Sequence, residues 1–119
     1  MPNYVPATDM VYDGASSADS VSFQLPGHSV TTPHYMIIDR KVPNARSTTA
    51  EYRIRIIQGF VDAEGQRVNE RAVLEMTCRR PITGVAVVDS VKGNIARLAS
   101  MLGDEMLVNQ ISNTQILPH

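Results

Sequence analysis

Arg53 and Arg55 stand two residues apart in the segment Glu51-Tyr52-Arg53-Ile54-Arg55-Ile56-Ile57. Successive side chains of an extended chain point to opposite faces. Tyr52, Ile54 and Ile56 therefore share one side, and Glu51, Arg53 and Arg55 share the other. Two guanidiniums on one face suit one kind of chemistry, which is holding oxyanions by charge and by paired N–H donors. The commonest anion able to cover a sheet face is nucleic acid.

The charge map points the same way, although the total does not. The net charge is -1. No Lys or Arg precedes Asp39, whereas the stretch from Arg40 to Arg80 holds nine basic and five acidic residues and so carries +4. The rest of the chain carries -5. A solvated strand face would hold similar residues, so segregation alone leaves both readings open.

Residues suited to catalysis do not converge. His28, His34 and His119 are far apart in sequence and lie near prolines or at the terminus. No His pair has the spacing of ligands on a helix, so no metal is expected. The glycines form neither a phosphate loop nor a dinucleotide fingerprint. Ser16-Ser17 and Ser47-Thr48-Thr49 lack a neighbouring base. Asp104-Glu105 fits the start of a helix better than acid–base work. The expectation is a protein that is not an enzyme, with no cofactor and no small-molecule substrate.

The elements that must present the arginines follow from periodicity. A chain of 119 residues fits a single domain of residues 1–119. Its composition is 43% hydrophobic and 19% charged, without an apolar run long enough for a membrane span. No signal peptide is evident in Met-Pro-Asn-Tyr-Val-Pro, and no membrane partner is expected. The single cysteine, Cys78, excludes an internal disulfide; a buried, reduced thiol in a strand is expected.

Residues 1–8 read as a loose arm and 9–25 as a hairpin, with strands Asp9–Tyr12 and Ser20–Leu25 around a turn-rich Asp13–Asp19. Ser29–Thr32 reads as a short extended piece. Residues 28–80 make the sheet, with long strands His34–Val42, Ser47–Phe60 and Val68–Arg80. Pro43-Asn44 and Asp62–Gln66 turn the chain, and Pro81 ends the last strand. After Gly84 the period becomes 3.6, and residues 86–114 read as two helices. Val91, Ile95, Leu98 and Leu102 form one stripe, with Asp89 or Ser90 as N-cap, Gly103 at the C-terminal end and Asp104 capping the second helix. Gln115 to His119 reads as extended. The fold class is α+β, an antiparallel sheet with helices segregated at the C-terminus. Open sheet edges and an apolar helix stripe call for an obligate dimer.

With these elements in this order, the chain resembles the coat proteins of single-stranded RNA bacteriophages, which are levivirus-like. The resemblance is carried by Thr49-Ala50-Glu51-Tyr52-Arg53-Ile54-Arg55-Ile56, by Arg71-Ala72-Val73-Leu74-Glu75-Met76-Thr77, and by Leu107-Val108-Asn109 with Leu117-Pro118. It is one of pattern and extends from about Met10 onward. It implies an intertwined dimer with one continuous sheet, each subunit's helices packing across the partner. It also implies an icosahedral T=3 shell around single-stranded RNA, with an operator hairpin that represses translation. The protein would reside in the virion, and in the host bacterial cytoplasm during assembly. Asp62–Gln66 takes the place of the loop at the symmetry axes.

The RNA-binding candidates on the face opposite the apolar stripe are Tyr35, Lys41, Arg53, Arg55, Asn69, Arg71, Thr77 and Arg79. The cations would neutralise phosphates. Tyr35 would stack an unpaired base, and Asn69 or Thr77 would read a base edge. Asp39, Glu51 and Glu75 share this face and are expected to pair with the arginines and trim non-specific binding. Two other classes remain: a dimeric nucleic-acid-binding regulator that forms no shell, and an α+β enzyme or ligand-binding module.

Overall fold

Alternating side chains, punctuated by Gly, Pro and Asp turns, build five strands: β1 (Val11–Ser17), β2 (Ser20–Gln24), β3 (His34–Lys41), β4 (Thr49–Val61) and β5 (Arg67–Pro81). The computed structural model describes residues 6–43, 48–82 and 85–117. The strands form one antiparallel sheet in the order β1-β2-β3-β4-β5. The hairpin is therefore part of the main sheet, since β2 pairs with β3 from Ser20↔Asp39 to Gln24↔Tyr35. The expected fold class holds, with three helical segments following the strands among the described residues.

Local differences from the periodicity have identifiable causes. The first strand extends through Gly14 to Ser17, where a turn-rich loop was expected. Register shifts at Tyr12/Gly14 and Ala15/Ser17 absorb the irregular sequence, and Gly14 adopts φ 147°, open to glycine but not to larger residues. The connection is thereby shortened to a tight turn in which Ser17 Oγ accepts from the Asp19 amide. Ser29–Thr32 is a closed turn instead of an extended piece. Ser29 Oγ takes the Thr32 amide at 2.9 Å and meets the Thr32 hydroxyl at 2.7 Å. The Asp62–Gln66 turn is as expected: Asp62 Oδ1 accepts the amides of Glu64 and Gln66, and Gly65 supplies a positive φ of 77°. The Pro43-Asn44 turn falls partly outside the described residues.

The core lies on one face of the sheet. Phe23, Leu25 and Met36 are buried, and Met10, Tyr12, Val21, Ile38, Ile54 and Ile56 pack against them. Tyr12 meets Phe23 edge-on, ring centroids 5.8 Å apart. Toward β5 this face opens: Tyr52 is 47% exposed and Leu74 63%. Cys78, expected to be buried, is half-buried there, opposite Tyr52.

The chain divides into two compact units, Met1–Ile82 and Thr83–His119. The second contains α1 (Val85–Leu102), α2 (Glu105–Asn109) and a single π-helical turn, Gln110–Thr114. α1 begins four residues before Asp89, so neither Asp89 nor Ser90 caps it. Gly103 follows the last helical residue, and its N–H donates to the Ser100 carbonyl at 3.1 Å. Asp104 caps α2, its carboxylate accepting the Leu107 amide at 3.1 Å. Gln115 takes a left-handed conformation, φ 57°, in place of the extended one expected, and its N–H closes the π turn on the Gln110 carbonyl. Pro118 and His119 lie outside the described residues. Along the expected stripe Val91 is half-buried, while Ile95, Leu98 and Leu102 are 48%, 38% and 51% exposed.

Candidate nucleic-acid interface

Strand pairing converts the sequence alternation into cross-strand rows on the face opposite the core. Lys41–Glu51–Arg79 form one row, and Ser20–Asp39–Arg53–Thr77 the next. Then come Ser22–Ile37–Arg55–Glu75 and Gln24–Tyr35–Ile57–Val73. Arg71 stands beyond them, opposite Gly59. Seven of the eight candidates are thus carried on the ladder of one three-strand surface. Asn69 is the exception: it lies in the register shift where Gly59↔Arg71 gives way to Val61↔Arg67.

From the Lys41 row to Arg71, five cations face three carboxylates, so this surface of β3–β5 is net positive. The carboxylates are used locally. Asp39 Oδ2 accepts from Arg55 Nη2 at 2.9 Å and from Arg53 Nη2 at 3.4 Å. Glu51 Oε2 accepts from Arg79 Nε at 3.1 Å. Glu75 Oε1 accepts from the Thr77 hydroxyl at 3.1 Å. The Arg79 guanidinium is largely exposed, and its pair with Glu51 contributes little to stability. The Asp39 cluster is more sheltered, with side chains 23–38% exposed. Its carboxyl is held below the ordinary value, chiefly by a hydrogen bond from Ser20 and further by Arg55 and Arg53; partial burial opposes this.

Within the cluster the Nε atoms of Arg53 and Arg55 are buried without a hydrogen-bond partner among the described residues. Two open basins flank Asp39. One, of about 420 Å³, is lined by Arg53 and Lys41 together with Asp19, Glu51 and others. The second, of about 570 Å³, is lined by Arg55, Tyr35, His28 and Ile37 among others. Ser20 and Asp39 line both.

Tyr35 lies on the arginine face, away from the core, and Arg71 Nη1 reaches its hydroxyl at 3.5 Å. Its ring meets His28 edge-on, centroids 6.2 Å apart. The His28 ring is fixed because its Nδ1 accepts the His34 amide at 3.0 Å. Sequence reasoning missed Ser20 and His28 as members of this surface. For Ser20 the signal was present, since it shares the polar parity of β2. For His28 none was, because the 25–34 turn that carries it back over Tyr35 is a non-local arrangement. Among the described residues no cluster of three His, Cys, Asp or Glu could hold a metal ion.

No protein-family model matches the chain, and no curated protein does. Solved structures do match in fold. The chain is similar to that of the virus-like particle of Wenzhou levi-like virus 4, with TM-score 0.71 and 19% identity over 100% of this chain and 90% of that one. It is similar to the virus-like particle of Beihai levi-like virus 32, with TM-score 0.65 and 20% identity over 89% and 80%. A third match is the virus-like particle of bacteriophage GQ-907, with TM-score 0.65 and 10% identity over 99% and 91%. At these identities the likeness is one of fold.

Proposed function

We propose that this chain is the coat subunit of a single-stranded RNA bacteriophage, which dimerises, assembles into an icosahedral shell and packages RNA against the Arg53–Arg55 face. The observation that carries this reading is the near full-length likeness to chains that build virus-like particles. The resident location on this reading is the virion, with the host cytoplasm as the place of assembly. A T=3 shell and an operator hairpin that represses translation are its finer parts.

Uncovered apolar surface supports the dimer. β5 is the sheet's outer strand, fifteen residues long, with β4 as its neighbour in the sheet order. A long edge with Leu74 exposed is an aggregation liability unless another strand or helix covers it. The exposed Ile95, Leu98, Met101 and Leu102 on α1 raise the same demand. A second copy that continues the sheet past β5 and lays its helices over the open apolar face would answer both. The rows of arginines would then run across both subunits as one broad cationic surface, suited to a phosphate backbone.

Electron microscopy of the purified full-length protein tests the assembly. Uniform hollow particles are expected, whereas a discrete dimer under all conditions would favour a regulator that forms no shell. Leu74→Asp tests the dimer. The side chain is exposed in the single chain, so the fold should survive while light scattering reports monomers; particles of normal yield would refute pairing through β5.

A further inference from the structure

We propose that Asp39 is a built-in competitor for phosphate: its carboxylate occupies the Arg53 and Arg55 guanidiniums until phosphodiesters of single-stranded RNA displace it, and it thereby sets the selectivity of the face. This rests on the proposed RNA-binding role of that face. The geometry is specific to Asp39. It stands directly opposite Arg53 and one row from Arg55, bonds both, and lines both flanking basins, each of which holds one of the two arginines. A carboxylate and a phosphodiester use the same forked N–H donors. Asp39 takes only Nη2 from each guanidinium, leaving both Nε–H groups without an acceptor among the described residues. Both Nε atoms are buried, so a phosphate that drew the guanidiniums outward to engage an Nε–Nη2 edge would satisfy donors that Asp39 leaves idle.

The consequence is a threshold. Attraction between RNA and protein grows with the number of phosphates neutralised. A carboxylate that must be displaced lowers binding for every RNA alike. An RNA whose backbone delivers two phosphates at the spacing of the arginines recovers that loss, and an RNA that delivers one does not. The penalty leaves the ratio of affinities unchanged, but it drops an RNA that delivers a single phosphate below the concentration at which it would occupy the face. Ser20 and the two arginines keep the carboxyl anionic well below neutral pH, so the competitor is in place under physiological conditions.

The test is Asp39→Asn in the full-length, RNA-free protein. Binding to a fluorescein-labelled oligouridylate is followed by anisotropy at 50 and 200 mM salt. The substitution keeps size and an acceptor oxygen while removing the charge. Binding at the lower salt should tighten about threefold or more, and the slope of log K against log salt should steepen by about 0.7 for each further phosphate neutralised. Adding Arg53→Ala and Arg55→Ala should abolish the gain. Ser20→Ala, which loosens the hold on the carboxylate without touching its charge, should shift affinity in the same direction by less.

Unchanged or weaker binding by a folded Asp39→Asn protein overturns the proposal, as does a gain that survives loss of both arginines. If Asp39→Asn does not fold, unchanged or weaker binding by Ser20→Ala overturns it instead. Wild-type binding that is indifferent to Arg53→Ala/Arg55→Ala would sink the RNA reading of this face, and the proposal with it. Wild-type binding that depends on the arginines alongside an inert Asp39→Asn sinks the proposal alone.

Discussion

Asp39 stands directly opposite Arg53 in the β3–β4 register, yet its shorter bond, 2.9 Å against 3.4 Å, is with the diagonal Arg55. Diagonal neighbours on one sheet face lie about 7–8 Å apart, within reach of a long guanidinium stem. One carboxylate therefore ties two arginines that no local pattern in β4 would link.

The arginine pair should matter to RNA and little to the fold. Arg53→Ala combined with Arg55→Ala is expected to lower the RNA that co-purifies with the protein. In titrations it should flatten the salt dependence by about 0.7 for each phosphate that is no longer neutralised. Ultraviolet absorbance ratios and anisotropy read the two effects, and circular dichroism checks the sheet. Unchanged RNA content would refute the assignment of this face.

Asp39 makes a prediction about acid. Its folded carboxyl is held below the ordinary 3.8, so its contribution to stability is complete above that value and is lost as pH falls through the lower, folded one. Denaturant midpoints of the wild type should therefore drop more steeply below about pH 4 than those of Asp39→Asn. Parallel curves for the two proteins would show that Ser20 and the arginines do not favour the charged form.

Leu98 reports whether a second copy covers α1. The side chain is 38% exposed in the single chain. If the helices are packed in a dimer, Leu98→Ala should cost about 2–5 kcal/mol in denaturation of the assembled protein. A cost of about 0.5 kcal/mol or less is the behaviour of a surface residue and would argue against a covered stripe.

Gly59 is expected to be intolerant of any side chain. Its N–H donates to the Pro33 carbonyl at 2.8 Å, and a Cβ built on it would stand 2.9 Å from Pro33 Cδ and 3.0 Å from Cγ. The proline ring cannot swing aside. Gly59→Ala should cost about 1–3 kcal/mol, read from the urea midpoint; a neutral result would mean that Pro33 and Gly59 can move apart freely.

Much of the fold was legible because β alternation and turn chemistry are local. Val21, Phe23 and Leu25 sort from Ser20, Ser22 and Gln24 without any partner strand, and Asp62 with Gly65 encodes its own turn. The Asp104 cap is equally local. The misread pieces depended on neighbours. β1 runs on to Ser17 because β2 offers a ladder that tolerates two register shifts. Asp89 and Ser90 looked like caps because Val85–Val88 has no side chain to mark an earlier start. Of the candidate site, parity placed seven residues on one face, and it could not reach Asn69 across an irregular register.

Sequence by itself settled the two surfaces of the sheet, apolar and cationic, since a two-residue period needs no knowledge of what lies alongside. Tertiary structure alone decided who meets whom: the hairpin joining the sheet edge, Ser20 brought against Asp39, Asp39 gripping two arginines, His28 folded back over Tyr35. Those pairings rest on register between strands distant in the chain, where hydrogen bonding and packing of the whole sheet select one alignment that no single segment specifies.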